Sequence, residues 1–357
     1  MHKVSRTQHG MSLVELMVGM MLGLILVAGL IQIFASNKRS FSLAEAMAQT
    51  QESGRKSSDM LARAIRNAGY WGCLSADSQV VNNLRDVSGR DDDLRFDASI
   101  EVYQAAPNEI PGAMDNAHVL VVRGVDAGSS VRVNRVPATE AATLAVDGTG
   151  DLQEEEIVLV SDCQAAHIFQ ITGIPNSTRI QHSSQANLDP GNRVAGLGRI
   201  YTEQASVYRV FSERYYIAED DDGWRALVRQ PISLGRNKDD TVGLYGEAQE
   251  LVSGVQDLRM QLGLDTNGDG AVDDWVDPPV GSDNPQLANL SSQAVAVRFS
   301  VLSASSEDNA VEQAQAYCFP SWARCDSESN GLIQTSDRRL YRAMARTATI
   351  RNRTLGG

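Results

Sequence analysis

At 357 residues, with 42% hydrophobic and 22% charged positions, the chain is long enough for two compact units and has the composition of a globular protein. Its formal charge of −13 does not suit nucleic acid, where affinity comes largely from neutralising phosphates, so no nucleic-acid partner is expected. The chain has no G-x-S-x-G elbow, Walker A loop, H-E-x-x-H helix or G-x-G-x-x-G turn after a strand, and no enzyme is expected.

Residues 1–10 form a short leader carrying Lys3 and Arg6 and no acid, so its removal takes the formal charge from −13 to −15. From 16 to 35 no residue is charged, and Gln32 is the only strongly polar one. Twenty such positions make a helix about 30 Å long, enough to cross a bilayer core. Glu15 stands at the entrance to this run. A carboxylate there costs roughly 2.5–3.5 kcal/mol if buried in lipid, so it calls for a partner. An ordinary secretory signal is cut after its apolar core, next to small residues. Here the candidate cleavage point, Gly10, precedes the core.

The stretch Gly10-Met-Ser-Leu-Val-Glu15-Leu-Met-Val resembles the class III signal of type IV pilins and type II secretion pseudopilins. The resemblance implies cleavage by a prepilin peptidase after Gly10 and methylation of the new N-terminus at Met11. The family usually has Phe at that first mature position, and Met11 keeps its apolar character. Glu15 matches the family's acid, which is given the role of pairing with a neighbouring subunit's N-terminal amine during assembly.

The helical pattern continues past the apolar run. Phe41, Ala44 and Ala48, then Met60, Leu61, Ala64, Ile65 and Ala68, fall on one stripe. One helix is therefore expected from 11 to 68, with 11–36 in the membrane, 37–70 laid on a head, and Gly69 as its stop. Residues 50–59, with Gly54, are weakly apolar and read as soft or exposed. Gly19 and Gly23 form a small-xxx-small pair that admits a second helix.

Beyond the helix, apolar or alternating runs predict strands at 117–125, 130–136, 156–161, 167–172, 206–218, 224–229, 255–264, 294–303 and 339–351. Acidic or Gly-rich links such as 89–93, 147–155 and 220–223 separate them, and the acidic runs 91–93 and 219–222 read as solvated loops. Strands without interleaved long helices point to an antiparallel sheet, hence an α+β, pilin-like fold. The expected division is a β-rich insertion over 71–200 and a β-sheet head over 201–357.

Cys73, Cys163, Cys318 and Cys325 do not have zinc spacing. Behind an export signal they read as disulfides, with reduced buried thiols as the alternative. Of the three pairings, the turn-like six residues between 318 and 325 favour Cys318–Cys325, which leaves Cys73–Cys163.

The segment 265–277 follows the logic of an EF-hand loop. Asp265, Asn267 and Asp269 occupy positions 1, 3 and 5, Gly270 stands at 6, Ala271 offers a carbonyl at 7, and Asp273 stands at 9. Val276 occupies position 12, so either Asp274 or Asp277 substitutes or the ion is held more weakly and by more water. Calcium is the expected cofactor, and an Asp/Asn/Gly-rich turn between strands is the plainer alternative.

Residues 59–73, 250–265, 294–303 and 341–352 are similar to segments of PilW-type minor pilins, which are related to J-type pseudopilins. The resemblance implies a subunit that helps prime pilus assembly from the inner membrane of a Gram-negative bacterium, with its head in the periplasm. Its implied partners are other minor pilins, the major pilin, the prepilin peptidase, the inner-membrane assembly platform and a tip adhesin. The alternatives are a type II secretion pseudopilin and a membrane-anchored calcium-binding adhesin module.

Overall fold

A computed structural model of the chain describes residues 12–74, 80–85, 94, 96, 98–185, 187–220, 222–231, 246–323, 325 and 332–354. Gly10, Met11, the rest of the leader and the acidic run 91–93 lie outside the described residues. Helix α1 runs unbroken over Leu13–Asn67. The N–H of Ala68 still bonds the carbonyls of Ala64 and Ile65, and Gly69 then takes φ +72°, which favours glycine and ends the helix where the sequence predicts.

The buried face of α1 is Ala46, Thr50, Gly54, Ser57, Ser58, Leu61, Ala62 and Ile65. This corrects two expectations. Phe41 is 71% exposed, and Ala44 and Ala48 are exposed as well. Residues 50–59 are neither soft nor wholly exposed: all are helical, and Thr50, Gly54, Ser57 and Ser58 are buried. The selected property there is small size, because the helix backbone comes close to the sheet beneath it. Two of the three buried hydroxyls are satisfied locally, Thr50 Oγ1 donating to the Ala46 carbonyl at 2.9 Å and Ser57 Oγ to that of Ser53 at 2.8 Å, while Ser58 Oγ is buried without a hydrogen-bond partner.

The strands follow in order: β1 Val80–Asn82, β2 Ile100–Gln104, β3 His118–Val125, β4 Val131–Arg135, β5 Leu144–Val146 and β6 Ile157–Asp162. Next come β7 Ala165–Gln170, β8 Gly173–Asn176, β9 Arg179–Gln181, β10 Ser206–Glu219, β11 Arg225–Pro231 and β12 Gln249–Ser253. The last six are β13 Val255–Leu264, β14 Asp274–Val276, β15 Ala294–Ala304, β16 Ala316–Cys318, β17 Leu332–Gln334 and β18 Tyr341–Thr349. Short helices α2 (Gln286–Gln293) and α3 (Arg351–Thr354) and a 3-10 turn at Ala127–Ser129 complete the described elements. All nine predicted strand runs are strands; β2, β12 and β14 are among those with too short or too mixed a pattern to announce themselves.

Pairing is antiparallel apart from β1 on β7. A twelve-stranded sheet is organised around β10, which pairs with β4 and β6 in its first half and with β3 and β11 further on. A four-stranded sheet has the order β14-β13-β15-β18. The largest core joins Leu61, Ala62 and Ile65 of α1 to Ile100 and Val102 of β2, Leu120 of β3, and Met260, Phe299 and Val301 of the four-stranded sheet. A second core, around Val133, Val160, Phe169 and Val207, sits away from the helix.

Both expected disulfides are present, Cys73–Cys163 with Cα atoms 4.8 Å apart and Cys318–Cys325 at 5.8 Å. The first ties the helix exit to the β6–β7 turn. Nearby, Arg123 and Glu101 form a buried ion pair at 2.7 Å, and the Gly69 N–H bonds the Arg123 carbonyl at 2.9 Å.

Candidate assembly helix and oxygen-rich loop

Ser12 caps α1: its backbone is extended, and its Oγ accepts from the Glu15 N–H at 3.1 Å. Glu15 thus sits in the first turn, where the helix end carries partial positive charge and suits an acid. The Ser12-x-x-Glu15 spacing is a capping-box signature that the sequence reading passed over. Residues 12–41 are all exposed, and the apolar stretch has the length and composition to cross a membrane. A Cβ placed on Gly19, Gly23 or Gly29 would meet nothing within 4 Å, so this face is open to a neighbouring helix.

The head begins to hold the helix lower down. Gln49 Oε1 accepts from the N–H and hydroxyl of Ser306 at 3.1 and 3.0 Å, and Arg346 Nη1 donates to Asp59 Oδ1 at 2.5 Å. That bond to Arg346 holds the Asp59 carboxyl below its usual range.

The loop between β13 and β14 is drawn in by its own backbone. Asp265 Oδ1 accepts from the Gly268 N–H at 2.7 Å and Oδ2 from that of Gly270 at 2.8 Å, while Gly268 and Gly270 take φ +83° and +81°. Asn267 Oδ1 accepts from the Asp269 N–H at 2.9 Å, and Asp269 Oδ1 from that of Ala271 at 2.8 Å. Asp273 accepts from Thr266 N and Oγ1, both at 2.7 Å, and from Asn267 Nδ2 at 3.1 Å. The Gly270 N–H keeps the Asp265 pKa low, and the Thr266 hydroxyl does the same for Asp273.

Asp265, Asn267, Asp269 and Asp273 are therefore gathered. Asp277 stands apart, accepting from Gln261 Nε2 at 2.6 Å, and Asp274 turns onto the next N–H, that of Trp275, at 2.8 Å. The donors are all oxygen, the kind calcium takes. Among the described residues no three His, Cys, Asp or Glu side chains are grouped as a metal site.

The histidines of the head serve structure. His118 Nδ1 accepts from the Met260 N–H at 3.0 Å, and burial brings its pKa down to about 4. His167 shares a 2.5 Å bond with Tyr201, and His182 bonds the carbonyls of Ala195 and Ala142.

A family model described as type IV pilus-assembly protein W matches residues 214–352, and one described as the prokaryotic N-terminal methylation motif matches residues 5–31. The chain carries a PilW domain behind a prepilin N-terminus. No curated protein and no solved structure matches it. Pilin-family domains are structural components, and the two matches, with the exposed apolar run of α1, support a pilus-related, membrane-anchored precursor. The PilW match spans the second part of β10 through α3, which includes the sheet that bears α1 and the oxygen-rich loop. One feature inside the PilW match escaped the sequence reading: Trp275 of β14 and Trp322 of the Cys318–Cys325 loop close on Arg298. Their separation in the chain left no local signal for it.

Proposed function

We propose that the chain is a minor pilin of a type IV pilus, cut after Gly10 and recruited into a priming or tip complex through its first helix. The observation that carries this is the division of α1: a head-gripped lower half from Ala46, and an exposed apolar upper half headed by the Ser12 cap and Glu15. Cleavage leaves a cationic amine on Met11. An amine of one subunit within ~4 Å of another's Glu15 offsets the cost of keeping that carboxylate away from water, and it selects helix register. Gly19 and Gly23 let the helices approach. The partners in this reading are other minor pilins, the major pilin, the prepilin peptidase, the inner-membrane assembly platform and a tip adhesin. The setting is a Gram-negative inner membrane, then the pilus. Within the head, Asp265, Asn267, Asp269 and Asp273, with the Ala271 carbonyl, would hold calcium as a brace for the β13–β14 hairpin.

Intact-mass measurement of the protein from membranes and from sheared pili tests the role. The expected species begins at N-methyl-Met11 and is found in both fractions. A chain starting at Met1, or one absent from pili, defeats the reading.

A further inference from the structure

We propose that Arg298 couples the 265–277 hairpin to the disulfide-closed 318–325 loop, so that each loop holds the other in place. Arg298 lies on β15 between Val297 and Phe299, which point into the core shared with α1, so its own side chain leaves the sheet on the opposite face. Its guanidinium carbon is 4.7 Å from the centre of the Trp275 ring and 5.1 Å from that of Trp322. A planar cation between two aromatic rings is attracted by both, and Lys cannot stack in this way.

Each ring is anchored in its own loop. Trp275 faces Gly263 across the β13–β14 pair, and a Cβ on Gly263 would come within 3.0 Å of the ring, so the glycine makes the seat. Trp322 belongs to the loop closed by Cys318–Cys325, which is also pinned to β15 two residues further on. There the Ser321 N–H donates to Ser300 Oγ at 3.2 Å, and the two hydroxyls are 3.0 Å apart. Arg298 Nε donates to Gln261 Oε1 at 2.5 Å, and Gln261 Nε2 donates to Asp277 at 2.6 Å. The chain of contacts thus runs from the disulfide loop to the last carboxylate of the hairpin. Opening the disulfide or removing Trp322 exposes one face of Arg298 and loosens the seat of Trp275. Arg298, Trp275 and Trp322 are positioning residues for the hairpin, and the disulfide makes its order sensitive to reduction. Any effect on calcium rests on the reading of 265–277 given above; the effect on hairpin order does not.

Hydrogen–deuterium exchange on the full chain in detergent tests this, with Trp322→Ala, Arg298→Lys, and the double variant Cys318→Ser, Cys325→Ser. Exchange over 262–278 is expected to quicken roughly tenfold in all three, the scale set by losing one aromatic–cation stack from a locally opening segment. Calcium titration of the same samples is expected to show affinity weakened by a similar factor. Wild-type exchange over 262–278 in the disulfide-free chain and in Arg298→Lys, with 314–325 quickened, overturns the coupling. If Trp322→Ala does not fold, those two variants decide. A wild-type chain that binds no calcium sinks the calcium reading alone, and the exchange rates still decide the coupling.

Discussion

A Cβ placed on Gly54 would lie 2.5 Å from Sδ of Met344 and 3.4 Å from Oγ of Ser303. A side chain at this residue would therefore have to push Met344 aside. Gly54 is the point at which the lower half of α1 is seated on β15 and β18.

The seating makes a test in which two effects oppose. In an exposed helix, Gly→Ala gains up to about 1 kcal/mol from backbone propensity. At Gly54 the added atom displaces Met344, and overpacking of this kind costs about 1–3 kcal/mol. Gly54→Leu is expected to destabilise by that amount or more, whereas Gly29→Ala, with open space around it, is expected to keep stability or raise it by up to about 1 kcal/mol. Urea unfolding of the detergent-solubilised chain measures both.

Glu15→Ala is expected to be cut and anchored normally, because the proposed cleavage point is Gly10 and the apolar run is left intact. On the proposed pairing of this carboxylate with a neighbour's amine, entry into pili is expected to fail. Immunoblots of membranes and sheared pili compare the two pools. Wild-type incorporation of the variant sinks the pairing.

Removing one position-1 carboxylate takes a charge and a ligand from the oxygen-rich loop. Asp265→Ala is expected to abolish calcium binding by isothermal titration, while Asp277→Ala, which stands apart on Gln261, weakens it far less. Equal losses from the two would place Asp277 in the coordination shell.

His118 titrates in a definite direction. Burial is the main cause of its low pKa, the Arg259 cation adds to it, and the Asp277 carboxylate opposes it. The folded value of about 4 lies below the ordinary 6.5, so the folded state prefers the neutral ring. Its stabilising share is full above pH 6.5 and is lost as pH falls from 6.5 towards 4, up to about 3 kcal/mol. Denaturant midpoints across pH 4–7 should fall less steeply for His118→Gln than for the wild-type chain. Parallel curves would assign the acid lability to other groups.

What the sequence determined by itself is the part governed by local rules. The apolar run and the place of Glu15 at its head follow from composition along one segment. So do the stop at Gly69, the alternation of the long strands, and the Asp/Asn/Gly spacing of 265–277. Only the tertiary structure decided which face of α1 is buried. Hydrophobicity pointed to Phe41, Ala44 and Ala48, but the side chains of Met344 and Ser303 leave room beneath the helix only for small residues, Gly54 above all. It also decided that β10 carries neighbours from both halves of the chain and that Asp277 turns to Gln261 rather than into the loop. Trp275, Arg298 and Trp322 meet only after β14, β15 and the disulfide loop are in place. These are contacts between residues far apart in the chain, and periodicity reports only on neighbours.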